Sequence, residues 1–94
     1  MSDLLDEGEV TAALKKMPDW ELEGNSIERT VEFEEFMEAI DFVNLVAEVA
    51  EDSQHHPEID IRFSQVVLRL RTEDVGGVTE LDIEMAHRID NLAD

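Results

Sequence analysis

His55 and His56, with Pro57 directly after them and Glu51 four residues before His55, are the side chains of this sequence best suited to moving protons. The chain has three histidines, no cysteine and no tyrosine, and imidazole is the side chain whose ordinary titration range spans neutral pH. A spacing of four places Glu51 one helical turn before His55. Pro57 disfavours helical backbone at His56, so the pair is expected at a helix C-terminus, where the dipole favours a cation. Two adjacent imidazoles can serve as a general acid and a general base. They can equally be a chance exposed pair, and the residues alone leave both readings open.

Other chemistries find less support. Adjacent histidines on extended chain point apart, and no third soft ligand follows at a metal-binding spacing. No G-x-S-x-G or similar turn presents a serine nucleophile. Gly76-Gly77 is too short to cradle a phosphate and reads as a loop with close backbone approach. His87, between Ala86 and Arg88, reads as exposed and inert.

The elements that must carry these residues follow from apolar periodicity. Val10, Ala13, Leu14 and Met17 recur at helical spacing between Asp6 and Met17, with acids early and Lys15-Lys16 late. Trp20-Glu-Leu-Glu alternates up to Gly24-Asn25, a two-residue hairpin signal, and a strand returns from Ser26 to about Phe33. This pairing sets Leu22 opposite Ile27, on one face with Trp20, Val31 and Phe33. Arg29 shares that face and fits it badly.

From Glu34 to Asp52 two apolar stripes overlap, Phe36-Ile40-Val43-Ala47-Ala50 and Ala39-Phe42-Val46-Val49, more than one packing surface needs. One is expected to cover a sheet and the other, Ala39 to Val49, to meet another subunit. Ile59, Ile61 and Phe63, then Val66, Leu68 and Leu70, alternate as two strands around a Ser64-Gln65 turn. Thr79 and Asp82 form a capping-box pattern that opens a last helix through Leu92. The order αββαββα predicts an α+β two-layer sandwich, a four-stranded antiparallel sheet covered on one face by three helices.

Composition narrows the function classes. Hydrophobic residues make up 43% of the chain, too many for intrinsic disorder, and residues 1–94 are expected to form a single domain. No apolar run approaches the roughly 20 residues of a membrane span, and the N-terminal residues lack the pattern of a signal peptide, so a soluble cytoplasmic protein is expected. The net charge of −18, from 25 acidic and 7 basic residues, argues against nucleic acid and anionic membranes as partners. Spread over the whole chain, it reads as an acidic surface adapted to a salt-rich cytoplasm.

Taken together, Glu51, His55, His56, Pro57, Phe63 and Asp82 resemble the pattern of the pterin-4a-carbinolamine dehydratases: an acid, three others, His, His or Asn, Pro, five others, an aromatic, nine others, His or Trp, and then Asp. Trp20-Glu-Leu-Glu-Gly24, Phe33-x-x-Phe36-x-x-Ala39-x-x-Phe42 and Gly76-Gly-Val-Thr79 extend the resemblance over nearly the whole chain. One position departs: Glu73 stands where the family has its third histidine. The resemblance implies dehydration of 4a-hydroxytetrahydropterin to the quinonoid dihydropterin, the recycling step of tetrahydrobiopterin, without metal or redox cofactor. By carry-over, His55, His56 and Glu73 occupy catalytic positions, while Glu51, Gln54, Pro57, Thr72, Asp74 and Asp82 occupy substrate-binding ones. It further implies homodimers or homotetramers. In animals the family also serves as a dimerisation cofactor of a homeodomain transcription factor, which gives the alternative of a non-catalytic pterin-binding or protein-interaction module.

Overall fold

A computed structural model describes residues 3–93. Helix α1 spans Glu7–Leu14, strand β1 Glu21–Glu23, β2 Ser26–Glu32, helix α2 Phe36–Ser53, β3 Glu58–Arg62, β4 Gln65–Leu70 and helix α3 Glu80–Ala93. The four strands form one antiparallel sheet in the order β1-β2-β4-β3. This is the α+β sandwich expected from the periodicity.

Local signals explain where the elements start and stop. The Asp6 side chain accepts from the Glu9 backbone N–H at 2.8 Å, and Glu9 Oε1 accepts from the Asp6 N–H at 3.1 Å, a capping box that opens α1. The helix ends at Leu14, short of the expected Met17, because Lys16 and Met17 bond back to Ala13 and Leu14 in a tighter turn. That turn still buries Met17. Gly24, at φ 60°, makes the β1–β2 turn, and Leu22 pairs with Ile27 in the expected register.

The second hairpin differs from expectation. Arg62 pairs with Gln65, so its two-residue turn is Phe63-Ser64, with Phe63 in the left-handed region at φ 56°. A turn without glycine forces a non-glycine residue into that conformation, and the ring stands 73% exposed. It stacks on Phe36 with centroids 6.5 Å apart and planes 8° from parallel.

Core-facing rows run across the sheet as Ile27–Leu70, Arg29–Leu68 and Val31–Val66, continued on β3 by Ile59, while Ile61 at the edge is exposed. Ala39, Phe42, Val46 and Ala50 of α2 are buried in the same core as Ile83, Ala86 and Ile89 of α3. The expected assignment of the two α2 stripes is therefore overturned: Ala39, Phe42 and Val46, expected to meet another subunit, lie in the core together with Ala50 of the other stripe, whose Phe36 and Ala47 face outward. A periodicity that wraps most of a helix cannot say which side meets the sheet.

Arg29 is accommodated by partners remote in sequence. Its guanidinium bonds Asp90 of α3 and lies 3.5 Å from Asp19, and Asp90 also accepts from Trp20 Nε1 at 2.8 Å. Gly77 meets the N-terminal segment so closely that a Cβ there would sit 2.5 Å from Leu4 Cδ1. No helix among the described residues is long and apolar enough to cross a membrane.

Candidate active site

Three chain segments converge on the histidines. At the end of α2, Gln54 adopts left-handed backbone (φ 53°, ψ 38°), and the N–H groups of Gln54 and His55 both turn back to the Ala50 carbonyl. This is the usual way to stop a helix, with glutamine in the place that glycine commonly fills. Pro57 then holds the exit extended into β3. The two imidazoles differ in burial, His55 being 13% and His56 59% exposed at the side chain.

His55 Nε2 lies 2.6 Å from Asp82 Oδ1. Asp82, in the first turn of α3, is 0% exposed, and its other oxygen accepts from Thr72 Oγ1 at 2.9 Å and from the Thr79 N–H at 2.8 Å. A buried carboxylate with every available donor aimed at it is a fixed acceptor, so Nε2 of His55 carries the proton and Nδ1 is left for exchange. His56 makes the corresponding contact in the open: its Nε2 lies 2.5 Å from Glu51 Oε2, on a side chain 77% exposed.

Gln54, His55, His56, Arg71, Thr72, Glu73, Asp74 and Leu81 wall a cleft of ≈ 380 Å³ beside this corner. Its far wall is the turn Glu73–Val75 after β4, closed by Gly76 at φ 68° and by the Thr72–Gly77 bridge. Glu73 is 81% exposed and lies 3.6 Å from the Arg71 guanidinium, which also approaches Glu58 at 3.9 Å. A second cleft, ≈ 220 Å³, lies against Leu4, Leu22 and Val78, and Glu7 is its one ionisable wall residue. It offers no acid–base pair.

Of the residues expected at the site, His55, His56, Gln54, Thr72, Glu73 and Asp74 line the cleft. Glu51, Pro57 and Asp82 do not. Glu51 reaches it through His56. Asp82 has no surface with which to touch a ligand and acts through His55, which corrects the expectation of a direct contact. Phe63 lies outside the cleft, stacked on Phe36. Arg71 and Leu81 were not expected there: strand alternation marks Arg71 as outward-facing, and nothing in sequence tells that the outward side at the end of β4 borders the histidines.

Comparison with known proteins bears on the chain as a whole. The family model described as pterin 4 alpha carbinolamine dehydratase matches residues 3–92. A protein of Sulfurisphaera tokodaii named "Putative pterin-4-alpha-carbinolamine dehydratase" is 44% identical over 88 residues, 94% of this chain and 95% of the relative. One of the same name from Nocardia farcinica is 46% identical over 92 residues, 98% of this chain and 97% of the relative. The crystal structure of a transcriptional coactivator/pterin dehydratase from Brucella melitensis superposes with a TM-score of 0.93 at 35% identity, covering 98% of this chain and 100% of that one. A pterin dehydratase-like protein identified as a RuBisCO assembly factor in the alpha-carboxysome shares the fold, with a TM-score of 0.65 at 21% identity over 79% of this chain and 86% of its own. The chain belongs to the pterin 4 alpha carbinolamine dehydratase family.

Proposed function

We propose that the chain is a lyase that dehydrates a 4a-hydroxytetrahydropterin to the quinonoid dihydropterin, with His55 and His56 as its acid and base. The observation that carries this reading is His55 at the cleft wall, with Nε2 committed to Asp82 and Nδ1 free to exchange a proton, next to a second imidazole. The reaction suits that equipment. The C4a–O bond breaks, the hydroxyl takes a proton and leaves as water, N5 gives up its proton, and a C4a=N5 double bond forms. Atoms and charge balance with two proton transfers and no change of oxidation state. Gln54, Thr72 and Asp74 supply polar wall to a flat, hydrogen-bonding heterocycle. The protein works as a homodimer or homotetramer in the cytoplasm, and the exposed apolar side chains Phe36, Met37, Ile61 and Phe63 support the association. Turnover of chemically generated 4a-hydroxytetrahydropterin tests the activity: wild type should accelerate dehydration, and a double His55→Ala, His56→Ala variant that kept the wild-type rate would refute the catalytic roles.

Glu73 favours a second reading, a non-catalytic module that binds a pterin or a partner protein. It stands where the family resemblance places a histidine, and it is an exposed carboxylate beside Arg71, not an imidazole. A weakened enzyme predicts a low wild-type rate that rises in Glu73→His. No detectable rate in either protein supports the binding module, and a rate that falls in Glu73→His would make Glu73 itself a working acid or base.

A further inference from the structure

Thr79 is fully buried, and the cleft does not reach it. Its hydroxyl lies 2.7 Å from Thr72 Oγ1 and 3.2 Å from the Leu81 backbone N–H. The direction of each proton in this cluster follows by elimination. The Asp82 carboxylate can only accept, so Thr72 spends its one hydroxyl proton on Oδ2. Thr72 therefore accepts from Thr79, and Thr79 accepts from Leu81 N–H. The result is a one-way chain from the Leu81 N–H through Thr79 and Thr72 that ends on Asp82, the carboxylate to which His55 donates from the other side.

We infer that Thr79 is a positioning residue for His55, acting through Thr72 and Asp82, and that the chain leaves the Thr72 hydroxyl able to accept from a ligand but not to donate to one. The inference deepens the proposed dehydratase reading as far as turnover is concerned; the arrangement of protons stands apart from it. Without the Thr79 hydroxyl, Thr72 loses the donor that orients it and can swing its proton away from Oδ2, which leaves the Thr79 backbone N–H as the one donor holding that side of Asp82. His55 then has a less firmly held acceptor, while Gln54, His56 and Asp74 keep their places in the cleft wall.

The test compares wild type, Thr79→Val and Thr79→Ser, with Thr79→Ala in reserve should the valine methyl prevent folding. In imidazole 15N NMR spectra at neutral pH, wild-type His55 should show one well-defined tautomer with the proton on Nε2. Thr79→Val should shift and broaden the His55 signals and leave those of His87 in place, and Thr79→Ser should restore them. In turnover, Thr79→Val should lower kcat by about tenfold, the worth of one neutral hydrogen bond, with KM within about twofold. Unchanged His55 signals in both hydroxyl-lacking variants would overturn the inference. So would a loss that Thr79→Ser fails to rescue, because that would assign the effect to packing of the methyl group. An inactive wild type that still gave the expected spectra would refute the dehydratase reading alone.

Discussion

His55 and His56 each set Nε2 against a carboxylate, at 2.6 and 2.5 Å, yet one pair is mostly buried against α3 and the other stands in solvent. The contact distances are nearly equal; the surroundings are not. Asp82 is pinned by Thr72 and by the Thr79 backbone, so it can hold one ring orientation for His55. Glu51 has no other bonded partner among the described residues, and an exposed pair of this kind contributes about 0–1 kcal/mol and is screened by salt. Burial and further hydrogen bonds decide which carboxylate orients its imidazole.

The largest expected effect is on His55 itself: His55→Ala should lower turnover by on the order of 10²–10⁴, the usual yield of general acid–base catalysis. Equal activity in wild type and variant would end the comparison, since the better-held imidazole would then be doing nothing. Stability comes next. Asp82→Ala strands the Thr72 hydroxyl, the Thr79 N–H and the His55 N–H in the interior, and should cost on the order of 3 kcal/mol of folding stability in denaturant titration. Glu51→Ala should cost less than about 1 kcal/mol. A similar loss in both would mean that burial does not separate the two pairs.

How much of this could be read in the sequence varied with distance along the chain. Strand alternation and the Gly24-Asn25 turn placed Leu22 on Ile27, because a hairpin register depends on neighbours. The Thr79-x-x-Asp82 spacing was legible as a helix start, and the same residues turn out to form the floor under His55. What periodicity could not supply was the third dimension. Arg29 looked misplaced on an apolar face until Asp90, 61 residues away, lay against it. The stripes of α2 were both visible, but which of them faced the sheet depended on helix rotation, and the choice fell on Ala39, Phe42 and Val46. The Phe63-Ser64 turn lacked the glycine that would have marked it.

A smaller effect concerns the acidic surface as a whole. With a net charge of −18, unscreened repulsion acts well beyond the Debye length of ~10 Å that applies at ~0.1 M salt, so melting temperature should rise from dilute buffer to molar potassium chloride. The buried His55–Asp82 contact should be less sensitive to that change than the open His56–Glu51 pair. If salt left the melting temperature flat, the acidic composition would need another origin.

The most direct test of His55 as the oriented imidazole is turnover of 4a-hydroxytetrahydropterin by Asp82→Asn set beside Glu51→Gln. Loss of one charge-assisted hydrogen bond at a buried site predicts a fall of roughly 10- to 100-fold for Asp82→Asn. Loss of an exposed one predicts less than about fivefold for Glu51→Gln, with the gap closing in molar salt. Equal losses in the two variants, or a greater loss in Glu51→Gln, would contradict the central role given to the buried pair.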